Sequence, residues 1–224
     1  MSAIRVLSGI LVSQIAAGEV VERPASVLKE LLENALDAQS NSIQVSLEQG
    51  GIKRVQVEDD GTGIARDDLP LALARHATSK IASLAELEAV ATLGFRGEAL
   101  ASIASVAQLA IASRTADSPH GYAIRASGPS IGEVEPTARA QGTTVSVSDL
   151  YFNTPARRKF LRTEATEFAH CDETFRRIAL AHPEHGFTLR HNGRVSHALR
   201  RAPLGDRAAA LLGREFLEAS VPVE

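Results

Sequence analysis

The chain switches repeatedly between two hydrophobic periods, and this switching constrains its fold more than any other feature of the sequence. Period-two alternation on either side of Gly50-Gly51, and again of Asn192-Gly193, predicts two β-hairpins. Further strands are predicted at residues 109–113, 122–126 and 143–147, and helices at residues 24–38, 97–106 and 164–181. Asn153-Thr154-Pro155 is predicted to start another helix, Ser83 and Glu86 form a capping-box pattern, and residues 128–141 are expected to form a loop. Strands joined by hairpins, with helices between them, favour an α+β fold: a two-layer sandwich whose mixed, mostly antiparallel sheet carries its helices on one face.

Composition and charge narrow the class of protein. The 224 residues include 24 basic and 27 acidic side chains, for a net charge of −3, with seven phenylalanines, two tyrosines and no tryptophan. So few rings, with a slightly acidic balance, argue against a nucleic-acid-coating domain, and any DNA contact is expected to be weak. The uncharged stretches 6–18 and 99–113 are shorter than the roughly 18 apolar residues of a membrane span. Cys171 has no partner for an internal disulfide, so we expect a cytoplasmic protein without membrane contact.

The first predicted helix carries a narrow polar stripe. At about 100° per residue, Glu30, Asn34 and Asp37 fall on one side, opposite the leucines of the same helix. A solvated polar face explains such a stripe as well as a ligand-binding face does, because periodicity does not distinguish an exposed carboxylate from one that faces a ligand. Glu33 points away from the stripe and is expected to be an ordinary surface charge.

Two glycine-rich loops are candidate ligand sites. The segment Asp59-Asp60-Gly61-Thr62-Gly63 follows a predicted strand; its glycines allow close backbone approach, and a carboxylate there can accept a hydrogen bond from an amino group such as that of adenine. A simple turn or a metal loop is also possible, although the spacing of a calcium loop is not met. Residues 94–100 open a helix and present backbone N–H groups to an anion, without the spacing of a P-loop or of G-x-G-x-x-G.

Five motifs in order carry a resemblance that spans essentially the whole chain. They occupy residues 14–26, 30–38, 74–80, 93–103 and 152–160. Together they resemble the N-terminal ATPase region of the MutL family of DNA mismatch repair proteins, a group within the GHKL superfamily of gyrase-type topoisomerases, ninety-kilodalton heat-shock chaperones and histidine kinases. The resemblance implies the GHKL, or Bergerat, ATP-binding fold.

The resemblance also implies roles for single residues, with ATP and Mg²⁺ as cofactors. Glu30 corresponds to the general base that activates water, Asn34 to the ligand that reaches Mg²⁺, and Asp59 to the carboxylate that recognises adenine. Asp60 stands where many relatives carry Asn. The remaining nucleotide-site positions are Asp37, Gly61, Gly63, Thr78, Ser79, Lys80, Gly94, Phe95, Arg96, Gly97, Glu98, Ala99, Leu100 and Thr143, of which 78–80 and 94–100 resemble lid and phosphate loops.

The family implies a function in which ATP binding and slow Mg²⁺-dependent hydrolysis order the lid and drive homodimerisation. These changes would couple a mismatch-recognition protein to a downstream nuclease or helicase, in nucleoid-associated work in the bacterial cytoplasm. Two alternatives remain: a non-catalytic, ATP-gated interaction module, which would not need Glu30, and another GHKL ATPase. The cluster Arg157, Arg158, Lys159 and Arg162 is expected to support the lid rather than to bind DNA.

The domain organisation is expected to be one ATPase domain at residues 1–203, followed at 204–224 by the start of a second α/β subdomain that is cut short. The resemblance implies that relatives complete the site with a lysine from that subdomain, so the site of this chain is expected to be incomplete, with weak ATP binding and very slow or no hydrolysis. Cys171 is expected to be a core or surface thiol without metal or redox chemistry.

Overall fold

One mixed sheet organises the protein in the computed structural model, which describes residues 21–74 and 99–220. The strands in these residues are β1 (Ser42–Glu48), β2 (Arg54–Asp59), β3 (Gln108–Arg114), β4 (Gly121–Ser127), β5 (Ser130–Ile131), β6 (Glu135–Thr137), β7 (Gly142–Ser148), β8 (Gly186–His191) and β9 (Arg194–Leu199). Their order is β5-β4-β3-β7-β2-β1-β8-β9, with β6 also paired to β4. β1 and β8 run parallel and the other recorded pairs are antiparallel, which confirms the predicted mixed sheet.

Helices cover the buried side of this sheet. They are α1 (Pro24–Asp37), α2 (Leu69–Ala72), α3 (Ala99–Val106), α4 (Pro155–Arg158), α5 (Glu164–Ala181), α6 (Leu204–Leu212) and α7 (Arg214–Glu218). α1 starts with Pro24 in its first turn, where the missing N–H costs no helical hydrogen bond. Leu28, Leu31 and Leu32 of α1 are buried in the same core cluster as Val55 and Val57 of β2, the strand on which this helix packs. None of the helices in the described part of the chain is long and apolar enough to cross a membrane.

Both predicted hairpins are present. The turn between β8 and β9 places Asn192 at φ 48° and Gly193 at φ 79°, the two positive angles that a type I′ turn requires. The turn between β1 and β2 contains a short 3₁₀ segment, Gln49–Gly51. The Asn192 side chain accepts a hydrogen bond from the Gln49 backbone N–H at 3.0 Å, so the two turns stabilise each other.

The end of α1 is joined directly to the end of β2, and this junction positions the site. The carbonyl of Ala38 accepts a hydrogen bond from Thr62 N–H at 2.9 Å. Asp60 Oδ1 accepts from the N–H groups of Asn41 and Ser42 at 2.7 and 2.9 Å, which connects the start of β1 to the end of β2. The polar stripe of the helix and the glycine-rich loop are therefore held close together, where β1 starts and β2 ends.

Two regions differ from, or extend, the predictions. The segment 128–141 was expected to be a loop, but it contributes β5 and β6 to the edge beside β4, because an edge strand offers backbone groups that any nearby extended segment can pair with. The predicted helix after Asn153 is a single turn, α4. The capping-box pattern at Ser83 and Glu86 lies outside the described residues.

The region after β9 is packed against the rest of the chain. Arg207 of α6 is buried, and its guanidinium donates to backbone carbonyls of α5 and of the turn before β8. The proposed boundary at residues 203 and 204 stays a prediction.

Candidate functional site

The polar stripe of α1 is partly covered rather than fully solvated. Glu30 and Asn34 are half-buried, and Asp37, one turn later, is exposed. Glu33 is also more buried than expected: its side chain is 13% exposed and forms an ion pair with Lys29 Nζ at 3.0 Å. The expectation that Glu33 is an ordinary surface charge is therefore wrong, because packing beside the helix encloses it.

Asp59 is a buried carboxylate at the end of β2, with 8% of the residue exposed. Its Oδ1 accepts hydrogen bonds from the backbone N–H groups of Gly61 at 2.9 Å and Thr143 at 3.2 Å. Burial raises the pKa of the Asp59 carboxyl above its usual 3.8, although the two backbone hydrogen bonds and the nearby Arg139 guanidinium act in the opposite direction. The carboxylate is thus held in place by the backbone while part of the cost of burying its charge remains.

A hydroxyl network lies directly behind Asp59. Ser113 is fully buried, and its Oγ donates to Gly142 O at 3.0 Å and accepts from Ile64 N–H at 2.7 Å. The Ser113 and Thr143 hydroxyls are 2.8 Å apart. Because the single Ser113 hydroxyl proton is directed at a carbonyl, Thr143 must donate to Ser113. The Thr143 hydroxyl therefore keeps acceptor lone pairs for any other group that approaches it.

Arg139 connects the loop before β7 to the end of β2. Its guanidinium donates to the backbone oxygens of Asp59 at 2.9 Å and Gly142 at 3.2 Å, and to the Glu58 carboxylate at 3.3 Å. Gln141 adds a bond from its side-chain amide to Gly61 O at 3.2 Å. These contacts hold the backbone around Asp59 in a single arrangement.

Close backbone packing explains the glycines in this region. A Cβ at Gly61 would lie 2.4 Å from Ala38 O, and one at Gly63, whose φ is +77°, would lie 2.1 Å from Arg114 O. Gly142 has a φ of +111°, and a Cβ there would lie 2.1 Å from Asp59 O. The protein's own packing therefore demands these glycines, and room for an adenine base beside Gly61 and Gly63 stays a prediction.

The structure brings together one part of the predicted residue set. Asp59, Gly61, Gly63 and Thr143 form a continuous cluster, joined through Ala38 to the helix that carries Glu30, Asn34 and Asp37. Ala99 and Leu100 begin α3 and are half-buried. The predicted lid and phosphate positions Thr78, Ser79, Lys80, Gly94, Phe95, Arg96, Gly97 and Glu98 lie outside the described residues.

Sequence reasoning missed Ser113 and Arg139. Ser113 had a usable signal, because it continues the inward alternation of Leu109 and Ile111 and is the polar member of that buried row. Arg139 had none, since it lies in a segment without periodicity and reaches Glu58 across 81 residues.

Cys171 and the basic cluster of residues 157–159 and 162 differ in how far they are buried. Cys171 is fully buried, so of the two expected environments it occupies the core, and burial raises the pKa of its thiol to about 12. The expected absence of metal or redox chemistry at Cys171 stays a prediction. In the basic cluster, Arg157 is half-buried, whereas Arg158, Lys159 and Arg162 are exposed. The choice between a structural and a DNA-binding role for this cluster stays open.

The geometry suits recognition of a flat ligand with an exocyclic amino group. A buried, oriented carboxylate accepts such a group well, and Thr143 supplies a further acceptor beside it. The half-buried carboxylate and amide of Glu30 and Asn34 are oxygen groups that suit a hard divalent cation and an attacking water.

Comparison with known proteins gives consistent results. Residues 22–127 match the family described as histidine kinase-, DNA gyrase B-, and HSP90-like ATPase. The chain is similar to the DNA mismatch repair protein MutL of Thiobacillus denitrificans, with 59% identity over 221 residues, and of Herminiimonas arsenicoxydans, with 60% identity over 223 residues. Both alignments cover 99% of this chain but 37% and 36% of those relatives, so the chain spans about a third of their length.

Solved structures agree with this assignment of the fold. The Aquifex aeolicus MutL ATPase domain complexed with ADP has 33% identity and a TM-score of 0.71, with 86% of this chain and 70% of that chain covered. The N-terminal domain of a DNA repair protein has 26% identity and a TM-score of 0.76, with 90% and 60% covered. The expected α+β sandwich of the GHKL type is confirmed.

Proposed function

The chain belongs to the MutL family, within its ATPase domain, and from this premise we propose that it binds ATP together with Mg²⁺ and hydrolyses the nucleotide slowly. The observation that supports this most directly is the Asp59 cluster: a buried carboxylate, held by two backbone N–H groups, beside the end of the helix that bears Glu30 and Asn34. The ADP named for the Aquifex aeolicus domain is consistent with a nucleotide as ligand.

In this proposal Asp59 selects adenine. The adenine 6-amino group is a hydrogen-bond donor that a carboxylate oxygen can accept, whereas guanine presents a carbonyl oxygen at the same position. A carbonyl placed against a buried carboxylate would leave both without a donor, at a cost on the order of 1 to 3 kcal/mol for each unsatisfied group. Burial of Asp59 therefore makes discrimination against GTP possible.

The same proposal gives the stripe of α1 its chemical roles. Glu30 acts as the general base that takes a proton from the attacking water, and Asn34 would hold Mg²⁺ through its side-chain oxygen, with Asp37 near the same edge. Residues four apart in a helix lie on one face, as this pair of roles requires. Bound Mg²⁺ would neutralise negative charge on the phosphates. The half-burial of Glu30 and Asn34 limits the water around them.

We extend the proposal to the steps that follow ATP binding. Residues 78–80 and 94–100 act as lid and phosphate loops that contact the nucleotide, and their ordering promotes a homodimer. The dimer then links a mismatch-recognition protein to a downstream nuclease or helicase, with weak contact to DNA in the bacterial cytoplasm. This part of the proposal derives from family membership and concerns the whole protein.

Glu30→Ala is the experiment that separates an ATPase from an ATP-gated module without hydrolysis. Loss of the general base is expected to lower single-turnover hydrolysis by roughly 10² to 10⁴, with little change in the binding of a non-hydrolysable analogue. Glu33→Ala, on the same helix but off the stripe, is the matched control and should keep wild-type turnover per folded molecule. Equal turnover by Glu30→Ala and the wild type would refute the assignment of the base. The module would be favoured if a chain extended by about 100 residues, so that it includes the second subdomain and its lysine, bound ATP without hydrolysing it.

A further inference from the structure

A compact group of metal-ligating side chains lies in the turn between α5 and β8, on the sequence His182-Pro183-Glu184-His185. The ligand atoms of His182, Glu184 and His185 all lie within 4.8 Å of one another. The group is separate from the Asp59 cluster and has no part in the proposed nucleotide chemistry. Because its three members come from four consecutive residues, holding them close costs little conformational entropy.

The distances within the group match those of a tetrahedral zinc site. His182 Nδ1 is 3.4 Å and His185 Nε2 is 3.2 Å from the same carboxylate oxygen, Glu184 Oε1. Zinc binds imidazole nitrogen and carboxylate oxygen at about 2.0 to 2.2 Å, so two tetrahedral ligands are separated by about 3.4 Å. Two of the three ligand–ligand separations therefore already suit the metal, and the exposed side chain of His182 can rotate to adjust the third.

A hydrogen bond fixes which nitrogen of His185 faces the group. His185 Nδ1 is 2.5 Å from the carbonyl oxygen of Ser40, a group that only accepts, so Nδ1 carries the hydrogen. Nε2 is then the nitrogen that is available to a cation held between it and Glu184 Oε1. Metal-binding histidines typically donate their second N–H to a carbonyl or carboxylate in this way, which orients the ring.

The backbone of the turn is held in place from within the fold. Arg207 donates to the carbonyls of Pro183 at 3.2 Å and His185 at 2.7 Å. The ligand set of two imidazoles and one carboxylate suits Zn²⁺ better than Mg²⁺ or Ca²⁺, because those two ions prefer oxygen ligands.

We propose that His182, Glu184 and His185 form a binding site for a zinc-type divalent cation, with two imidazole nitrogens, one carboxylate oxygen and water as the fourth ligand. The bound ion would crosslink the end of α5 to the start of β8 and, through His185, to Ser40 at the end of α1. It would thereby stabilise the part of the fold that leads to the Asp59 cluster. The site is independent of the proposed ATPase activity.

The test is zinc binding by the untagged, chelator-treated protein in isothermal titration calorimetry, with Co²⁺ as a spectroscopic probe. One equivalent of Zn²⁺ is expected to bind, and Co²⁺ should give the visible absorption of a tetrahedral complex with nitrogen and oxygen ligands. Excess Mg²⁺ should displace neither ion. His182→Ala and Glu184→Gln should each weaken binding at least tenfold, since the loss of one of three protein ligands leaves an incomplete site.

One control tests other histidines, and the choice of His182 guards against unfolding. His120→Ala removes an exposed histidine far along the chain and should bind Zn²⁺ as the wild type does. His182→Ala is preferred over His185→Ala because His182 is the more exposed ring, so its loss should not unfold the protein. Absence of stoichiometric binding, or binding that survives both His182→Ala and Glu184→Gln, would overturn the proposal whether or not the protein hydrolyses ATP.

Discussion

Asp59 and Arg207 are two buried charged residues in different regions of the molecule, and their surroundings differ. Asp59 lies at the end of β2 with 8% of the residue exposed, and Arg207 lies in α6 with 1% exposed. Backbone groups supply the hydrogen bonds in both cases. Two N–H groups contact the Asp59 carboxylate, and four carbonyls, those of Ala179, Pro183, His185 and Arg200, contact the Arg207 guanidinium.

The two buried charges differ in how many backbone groups, and from how many elements, contact them. Arg207 joins α5, the turn before β8 and the end of β9, and its guanidinium also lies 5.5 Å from the centre of the Phe187 ring. Both bonds to Asp59 end on Oδ1, and burial still raises the pKa of the carboxyl. Burial also lowers the pKa of the Arg207 guanidinium, so both charges are penalised and they differ in the number of their backbone partners. Many partners from several elements are typical of a structural charge, whereas few partners beside a glycine-rich loop are typical of a functional site.

Arg207→Met tests the structural half of this comparison and should have the largest effect. Methionine fills much of the volume but leaves buried carbonyls without donors, at about 1 to 3 kcal/mol each. We expect a loss on the order of 3 kcal/mol in the free energy of unfolding, measured with urea, because water will reach some of these groups. Arg190→Met, at an exposed position on β8, should change stability little. If the folded Arg207→Met protein lost nucleotide affinity but not stability, the two regions would not be distinct.

Asp59→Asn tests the functional half. The amide can place an N–H₂ group against the adenine amino group, so affinity for a non-hydrolysable ATP analogue should fall by on the order of 1 to 3 kcal/mol. Calorimetry or a fluorescent analogue would measure this directly. Competition of GTP and ATP with equal strength for the wild-type site would contradict adenine recognition by Asp59.

The pH dependence of stability reports whether burial penalises the charge of Asp59. Because the folded-state pKa of Asp59 is raised, its contribution to stability is fully present below the usual value of 3.8 and is lost as pH rises through the folded-state pKa. Asn at this position does not ionise. The melting temperature of Asp59→Asn relative to the wild type should therefore increase from pH 4 to pH 7 in the absence of nucleotide. A difference that stays constant or decreases over this range would show that burial does not penalise the charge.

The smallest effect is expected at the neighbouring residue, Asp60. Its Oδ1 accepts from Asn41 and Ser42 N–H, and an Asn side chain can accept the same two bonds. Asp60→Asn should therefore change the free energy of unfolding by less than about 0.5 kcal/mol, whereas Asp60→Ala should cost about 1 kcal/mol. Neither should alter the preference for ATP over GTP. A large loss of nucleotide affinity in Asp60→Asn would show that the two adjacent carboxylates share one role.

Much of the fold could be predicted because its signals are local. Helix α5 has the bounds that its apolar spacing indicates, and the Asn192-Gly193 turn has the backbone angles that its two residues favour. The short strands β5 and β6 could not be predicted, since two or three residues carry too little pattern and form strands only because β4 offers an edge. Half-burial of Glu30 and Asn34 also lay beyond periodicity, which gives the direction of a side chain but not what covers it.

The sequence alone determined the longer helices and strands, the stripe of α1 and the family, because these depend on patterns among residues that are close in the sequence or on motifs in a fixed order. Only the tertiary structure decided which of these features meet. Asp59 receives its second hydrogen bond from Thr143, 84 residues away, and Arg139 reaches Glu58 across 81 residues. Such contacts depend on the order of strands β2, β7 and β3 in the sheet. The hydrophobic pattern of the sequence predicts strands but does not specify their order in the sheet. The site therefore exists as a set of candidate residues in the sequence and as a bonded cluster only in the folded chain.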